Sequence, residues 1–215
     1  MGVREVEILG RKLTIHERDD TNDPSTGRAL TGSWLWESAL YLAEWMASEG
    51  RAYLDLAGRT VLELGAGTGL PGLATAVLGA ARVVLTDVAP LLPGLWANVE
   101  ANGLEGQVEV RKLRWGEEDE EAGEEVDVVV MSDVFFDPEE MEGLGRTLRG
   151  VWGEGTRAWA ASEVRASVGE CLEELGRDGF EVVELPGEIR PLLRAPGESS
   201  VFAVFLISRK GTRDE

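Results

Sequence analysis

The chain has 215 residues, enough to bury the core of a single domain. It carries 40 acidic and 21 basic side chains, which gives a formal net charge of −19. This charge argues against nucleic acid as a direct partner, because phosphate contacts need clustered Lys and Arg, and it leaves a basic protein partner open.

Cysteine usage and hydropathy favour a cytoplasmic protein, with the nucleus as the other open compartment. The single cysteine, Cys171, excludes an intramolecular disulfide and fits a reducing environment. No apolar run reaches the roughly 18 residues of a membrane span, and the charged N-terminal sequence lacks a signal-peptide core. No Cys-x-x-Cys motif or histidine cluster predicts a metal site. We therefore expect a monomer with neither a membrane partner nor a metal.

The first predicted elements form an N-terminal unit, residues 1–33. Residues 3–16 alternate apolar and polar side chains around a Gly-Arg pair, which predicts a short β-hairpin, and residues 19–31 predict a polar loop. We expect one globular domain over residues 34–215. It opens with a helix over residues 34–46, where apolar side chains recur at helical spacing.

Strands and helices then alternate along the rest of the chain. The predicted strands lie near residues 60–64, 82–86, 107–111, 126–132, 157–162, 180–185 and 200–208. The predicted helices lie near residues 70–79, 90–102, 138–152 and 165–178. This alternation predicts an α/β fold with a Rossmann-like, seven-stranded, mostly parallel sheet and helices on both faces. No helix separates the last two strands, so we expect the last strand to be antiparallel.

A glycine-rich turn follows the first strand of this alternation, in the sequence Glu-Leu-Gly-Ala-Gly-Thr-Gly-Leu-Pro. Gly65, Gly67 and Gly69 occupy alternate positions and lead into an apolar helix. Glycines at a strand-to-helix turn adopt positive φ and let the backbone approach a ligand. Glu63, two residues before the first glycine, suits a positively charged group such as the amino group of a methionine moiety. The turn and the acid together favour a pocket for S-adenosylmethionine.

A dinucleotide fold is the competing interpretation. Residues 67–72, Gly-Thr-Gly-Leu-Pro-Gly, satisfy the G-x-G-x-x-G pattern and motivate a nicotinamide-dependent oxidoreductase. However, the glycine turn begins at Gly65, so this frame starts two residues late. Pro71 cannot donate a backbone N–H to a pyrophosphate, and Glu63 would repel a phosphate. The adenosylmethionine interpretation is therefore favoured, and the oxidoreductase stays open.

Reactive side chains follow the carboxyl ends of the other parallel strands, where open α/β sheets bind ligands. Asp87 ends the second strand of the alternation and is placed to accept ribose hydroxyls. Trp115 follows the third strand and is placed to flank an adenine. Asp133 follows the fourth strand and Glu163 ends the fifth, so both carboxylates are expected on one rim, with Arg165 as a pairing partner. Capping of a following helix is the alternative role of Asp87 and Asp133.

Three other features predict no chemistry of their own. His16, the only histidine, lies in the predicted hairpin and is expected at the surface, so histidine base catalysis is not expected. Cys171 lies within a predicted helix and is expected in the core. The acid-rich segment 117–125 predicts a solvated loop, with recruitment of a basic partner as its alternative role.

The motifs together resemble a known family. The resembling segments are residues 31–39, 61–72, 98–102, 113–116 and 132–138, in the right order along about half of the chain. In this combination the chain resembles the family-16 branch of the seven-β-strand methyltransferases, which includes protein lysine methyltransferases acting on chaperones and translation factors. The resemblance implies S-adenosylmethionine as the cofactor and a protein with an accessible lysine as the partner.

The resemblance also implies roles for individual residues, beside the charge role of Glu63. The implied cofactor contacts are Trp36, Gly65, Ala66, Gly67, Asp87, Trp115 and Ser132. The candidate catalytic residues are Asp133, Phe136 and Glu163. The family usually has Asp-x-x-Tyr at the end of the fourth strand, and this chain has Phe136 in place of the tyrosine.

The predicted reaction is methyl transfer from S-adenosylmethionine to an amine, in the first place to a lysine of a protein. A small-molecule N-methyltransferase is one alternative. Another is a catalytically weak, cofactor-binding interaction protein, for which the missing hydroxyl of Phe136 is the motive.

Overall fold

The computed structural model describes residues 2–117 and 126–211, apart from positions 20, 23, 25, 26 and 28. The helices of this described part are α1 (Glu37–Ala47), α2 (Leu70–Val77), α3 (Leu92–Ala101), α4 (Met141–Val151) and α5 (Ala166–Arg177). Its strands are β1 (Gly2–Ile8), β2 (Arg11–Glu17), β3 (Thr60–Leu64), β4 (Arg82–Asp87), β5 (Val108–Lys112), β6 (Val126–Ser132), β7 (Trp152–Glu163), β8 (Phe180–Glu184), β9 (Glu188–Pro191) and β10 (Ser199–Arg209). Apart from Glu117, the acid-rich segment for which a solvated loop was predicted lies outside the described residues.

One mixed sheet forms the centre of the fold, with the strand order β5-β4-β3-β6-β7-β10-β8 and with β9 paired to β10. The strands from β5 to β7 are parallel, whereas β10 runs antiparallel to both β7 and β8. The predicted seven-stranded sheet with a reversed last strand is confirmed. The short β9 is an additional strand that the sequence did not predict. The chain order reverses between β3 and β6, and ligands bind in the crevice at such a switch point.

Helices cover both faces of the sheet, as predicted. α1, α2 and α3 contribute to one apolar core, and α4 and α5 to the other. Successive strand residues alternate between the two cores: on β3, Val61 faces the first and Leu62 the second. Cys171 is fully buried in the second core, which confirms its predicted place. Within the described residues, no helix is long and apolar enough to cross a membrane.

The hairpin of β1 and β2 packs against α3 through two asparagines. The Asn98 side chain accepts from the His16 backbone N–H at 2.8 Å, and the Asn102 side chain accepts from that of Thr14 at 2.8 Å. Both side-chain amides also donate back to the carbonyls of the same hairpin residues. The predicted hairpin is confirmed, and His16 is exposed as expected. The boundary between residues 1–33 and 34–215 stays a prediction.

The largest difference from the predicted elements is the length of β7. It begins at Trp152, whereas the sequence predicted a strand near residues 157–162 and a helix up to position 152. The apolar periodicity of α4 runs into Trp152, whose backbone is already extended. An irregular register at Val126 then pairs Trp152 with the start of β6. The prediction was therefore wrong about the start of this strand and correct about its carboxyl end.

Candidate functional site

One cavity of about 740 Å³ lies at the carboxyl ends of β3, β4, β6 and β7, beside the start of α1. This volume falls within the range of small-molecule sites. The cavity brings together Trp36, Gly65, Ala66, Gly67, Asp87, Trp115, Ser132, Asp133, Phe136 and Glu163. Glu63 is the one predicted site residue that does not line it.

The glycine turn between β3 and α2 has the backbone that the sequence predicted. Gly65, Gly67 and Gly69 have φ angles of 65°, 56° and 81°, in the left-handed region that favours glycine. A Cβ on Gly67 would also lie 2.5 Å from the carbonyl oxygen of Gly32. Gly67 is thus required both for its conformation and for the close approach of the segment around Gly32. Gly32 lies in one of the resembling segments, but no sequence pattern indicates this contact.

Asp87, at the end of β4, holds this turn in place. One carboxylate oxygen accepts from the Gly67 backbone N–H at 2.7 Å, and the other accepts from the Val88 N–H at 2.7 Å. Burial raises the pKa of the Asp87 carboxyl to about 6, against the opposing effect of these two donors. The helical turn that follows has Val88 as its N-cap residue and no side-chain cap, so the alternative capping role of Asp87 is wrong.

Glu63 lies beneath the glycine turn and outside the cavity, which corrects its predicted position. Its side chain is fully buried, and its Oε2 accepts from the backbone N–H of Gly72 on α2 at 2.9 Å. Its Oε1 has no hydrogen-bond partner among the described residues. Burial raises the pKa of this carboxyl well above its ordinary value, and the Asp87 charge adds to the effect. Glu63 therefore ties β3 to α2, and its side chain does not line the cavity.

Aromatic side chains form the walls on both sides of the glycine turn. Trp115 lies next to Gly65, where a Cβ would come within 3.0 Å of its ring. The ring of Phe136 lies 6.2 Å from that of Trp115, tilted by 34°, and Phe136 is 52% exposed. On the opposite side, the Trp36 indole N–H donates to the Thr31 carbonyl at 3.0 Å. This bond fixes the ring at the start of α1.

Asp133 has a left-handed backbone. It follows β6 with a φ of 55°, a conformation that, apart from glycine, asparagine and aspartate adopt most readily. Its N–H donates to the Ala161 carbonyl on β7 at 2.9 Å, so the turn is fixed by the sheet. The predicted alternative, in which Asp133 caps the next helix, is wrong, because Asp137 accepts from the Glu139 N–H in that position.

The Asp133 carboxylate is paired with Arg165, as the sequence allowed. An Arg165 Nη2–H donates to Asp133 Oδ1, and Arg165 Nη1 lies 4.0 Å from Glu163 Oε2. Burial raises the pKa of Asp133, whereas the Arg165 guanidinium lowers it. The cavity therefore has two carboxylates and a guanidinium on its β6–β7 rim. Within the described residues, no group of three or more His, Cys, Asp or Glu side chains could hold a metal ion.

The segment between β9 and β10 also borders the cavity, although no sequence motif predicted it there. Arg194 pairs with Glu17 of the hairpin at 2.5 Å and lies 4.3 Å from the ring centre of Trp34. The backbone N–H of Leu193 donates to the buried Glu37 carboxylate on α1. Arg194 and Glu17 are separated by 177 positions, so no local sequence pattern could reveal this pair.

The sheet order with its antiparallel β10, the glycine turn and the acid at the end of β4 define a Rossmann-like α/β domain of the methyltransferase type. The crystal structure of PH1948 from Pyrococcus horikoshii has the same fold, with a TM-score of 0.62 over 82% of this chain and 83% of that chain, at 20% identity.

Sequence comparison then identifies the family. A family model described as lysine methyltransferase matches residues 12–171. The chain is 35% identical to the protein N-lysine methyltransferase METTL21A of Danio rerio, over 70% of this chain and 69% of that protein. It is 33% identical to the histone-arginine methyltransferase METTL23 of Rattus norvegicus, over 63% of this chain and 61% of the rat protein, less than two thirds of that relative. The chain belongs to the lysine methyltransferase family and is an S-adenosylmethionine-dependent methyltransferase, which confirms the resemblance.

Proposed function

We propose that this protein transfers a methyl group from S-adenosylmethionine to the side-chain amine of a lysine in a protein substrate. One observation carries the proposal: the Asp133 carboxylate and the glycine turn border the same cavity. The first is suited to an amine and the second to the cofactor. The predicted cytoplasmic location and monomeric state remain predictions.

The residues at the β3–β4 end of the cavity fit the cofactor. The glycine turn brings backbone atoms close to the cavity, and Asp87 lies beside it with a carboxylate for the ribose hydroxyls. Trp115 supplies an aromatic face for an adenine. Trp36, Ala66 and Ser132 complete this proposed contact set. When bound, S-adenosylmethionine supplies a methyl group on an already activated sulfonium, so no metal or covalent nucleophile is needed.

The residues at the β6–β7 end fit a lysine acceptor. A lysine, with a pKa of about 10.4, must lose its proton before its nitrogen can form the new N–C bond. Positive charge then grows on that nitrogen as the methyl group leaves the sulfonium. Asp133, assisted by Glu163, stabilises this charge, and the Phe136 ring offers a face to a methylated cation. The carboxylates also bind the unreactive ammonium form, so they accelerate transfer only through tighter contacts in the transition state.

Arginine is the second candidate acceptor. Arg165 demonstrates that a guanidinium can pair with Asp133 at this rim. The similarity to a rat protein named as a histone-arginine methyltransferase supports this candidate further. A lysine is favoured by the family description and by the match to a protein named as an N-lysine methyltransferase.

The decisive experiment incubates the purified protein with tritiated S-adenosylmethionine and an unfractionated cell lysate. Mass spectrometry then locates the methyl group in the labelled protein, and we expect methylated lysine. Asp133→Asn should abolish most of the labelling, whereas Asp137→Asn should not. Asp137 undergoes the same change four positions away, where asparagine also caps a helix and the side chain does not line the cavity.

Each other outcome contradicts the proposal in a defined way. Tritium on arginine would show that arginine, the second candidate, is the methyl acceptor instead of lysine. Label confined to molecules below protein size would identify a small-molecule N-methyltransferase. Binding of S-adenosylmethionine in calorimetry without label in any fraction would favour the interaction protein.

A further inference from the structure

Arg165 joins two carboxylates that belong to different strands. It is the N-cap residue of α5, and its guanidinium donates to Asp133 after β6 and approaches Glu163 at the end of β7. Two carboxylates on one rim of a partly buried cavity repel each other, and this repulsion favours protonation of one of them. The guanidinium offsets the repulsion and leaves the three groups with one net negative charge.

Two contacts fix the turn that carries Asp133. A φ of 55° is costly for a residue other than glycine, so the left-handed turn persists only where surrounding contacts support it. The N–H of Asp133 is fixed by the Ala161 carbonyl. The carboxylate is fixed by Arg165, whose own backbone is extended at the start of α5. Together these bonds set the direction in which the carboxylate lies at the cavity wall.

We propose that Arg165 is a positioning residue for methyl transfer: it bridges Asp133 and Glu163 and keeps the Asp133 carboxylate in place as the anion that receives the acceptor amine. The inference rests on the proposed function. It adds a residue to which neither the sequence nor the family comparison gave a role beyond ion pairing.

The charges around Asp133 agree with this role. Burial raises the pKa of Asp133, and the charges of Glu163 and of Glu37 on α1 raise it further. Arg165 lowers it, through both its charge and its hydrogen bond. The other charged side chains that line the same cavity are Asp87, Arg114, Glu140 and Arg194. Loss of Arg165 should therefore favour the protonated, uncharged form of Asp133.

The first test measures the titration of Asp133 directly and needs no substrate. Carbon-detected NMR on protein labelled at the aspartate carboxyls would follow Asp133, assigned by its loss in Asp133→Asn. In Arg165→Gln we expect its titration midpoint to move to higher pH, and in Arg165→Lys to return towards wild type. Arg177→Gln is the matched control, because Arg177 ends the same helix, forms an ion pair with Glu174 and does not line the cavity.

The second test measures tritium incorporation into total lysate protein at saturating S-adenosylmethionine. We expect the rate to fall about 10- to 100-fold in Arg165→Gln at neutral pH, the size of effect that a misplaced reacting group produces. The acid limb of the pH–rate profile should shift to higher pH, in parallel with the titration. The affinity for S-adenosylmethionine, measured by calorimetry, should stay unchanged, since Arg165 lies at the β6–β7 rim, where we propose that the lysine binds.

Several outcomes would overturn the inference. An unchanged Asp133 titration in Arg165→Gln, or a shifted titration with an unchanged rate, would each remove Arg165 from the mechanism. An equal loss in Arg177→Gln would indicate a general effect of removing charge from α5. If the wild-type protein transfers no methyl group, the proposed function fails, and the titration still reports whether Arg165 fixes Asp133.

Discussion

The two ends of the cavity are built in different ways. At the β3–β4 end, backbone atoms form the surface, and carboxylates hold them from below: Asp87 binds the Gly67 N–H and Glu63 binds the Gly72 N–H. At the β6–β7 end, the surface consists of side chains paired with one another, as in the Asp133–Arg165 pair. The first end thus depends on the conformation of the main chain, and the second on the identity of its side chains.

This difference matches the tasks that we propose for the two ends. A single cofactor needs one rigid site, and a glycine turn fixed by hydrogen bonds supplies a main-chain surface that a few side chains, such as Asp87 and Trp115, complete. An acceptor site can change with its substrate, and exchange of a few side chains is the simplest way to change it. Phe136, where the family usually has tyrosine, is an exchange at that end.

The largest expected effect comes from disrupting the glycine turn at the β3–β4 end of the cavity. Gly67→Val should abolish S-adenosylmethionine binding, because the new Cβ would collide with the Gly32 carbonyl and resist a φ of 56°. Gly103→Val is the matched control, with a φ of 63° and no atom within 4 Å of the added Cβ. Calorimetry on both folded variants tests the prediction. Normal binding by Gly67→Val would place the cofactor elsewhere.

Removal of the Asp133 carboxylate at the β6–β7 end should slow methyl transfer and leave cofactor binding nearly unchanged. We expect Asp133→Ala to lower the methylation rate by about 10²–10³-fold, the usual effect of losing one preorganised electrostatic group. Asp133→Asn should give a similar loss, although asparagine tolerates the left-handed backbone that alanine resists. Cofactor affinity should change little in both variants. Equal turnover of wild type and Asp133→Ala at saturating cofactor and substrate would exclude Asp133 from the reaction.

Asp87→Ala should weaken the binding of S-adenosylmethionine without a direct effect on the lysine substrate. The ribose hydroxyls would lose an acceptor worth about 1.5–3 kcal/mol, and the Gly67 N–H would lose its partner. Asp87→Asn keeps the shape of the side chain and one oxygen that can accept a hydrogen bond, so the loss of cofactor affinity should be smaller. The two affinities, compared by calorimetry, check the prediction. An unchanged affinity in folded Asp87→Ala would contradict the proposed ribose contact.

The pH dependence of S-adenosylmethionine binding should follow the protonation of Asp87. The pKa of Asp87 is raised to about 6, so cofactor affinity should fall about tenfold between pH 7 and pH 5 as Asp87 takes up a proton. The stability of the cofactor-free protein should change in the opposite direction. Because the folded pKa exceeds the ordinary 3.8, the folded state binds more protons in this interval, and this group's contribution to stability rises as pH falls through 6.

The difference between wild type and Asp87→Asn isolates this effect from the many other acidic groups. Affinity from calorimetry and thermal unfolding of the cofactor-free proteins, each at several pH values, provide the two curves. If both proteins show the same pH dependence of affinity, the titrating group lies elsewhere.

The sequence predicted the residues at strand ends, and it failed where a position depends on how distant elements pack. Gly65, Gly67 and Asp87 lie at strand ends that local pattern alone identifies. Glu63 was misplaced because it precedes Leu64, the last residue of β3, and its side chain therefore projects under α2 rather than from the end of the strand. The pairing of Arg194 with Glu17 joins distant parts of the chain, and only the tertiary fold brings them together.

The smallest expected effect is that of Phe136→Tyr, and it tests whether the acceptor end has been adapted. Phe136 is 52% exposed and lies 6.2 Å from the Trp115 ring, so a hydroxyl can be added without displacing a buried neighbour. We expect unchanged folding, unchanged cofactor affinity and a few-fold rise in lysine methylation, because the hydroxyl adds a hydrogen bond of about 0.5–1.5 kcal/mol to orient the amine. Phe136→Leu, which removes the ring, should lower the rate, since the aromatic wall is lost. A fall in the rate of Phe136→Tyr would instead indicate that the phenylalanine face is fitted to an acceptor that the tyrosine of the family does not serve.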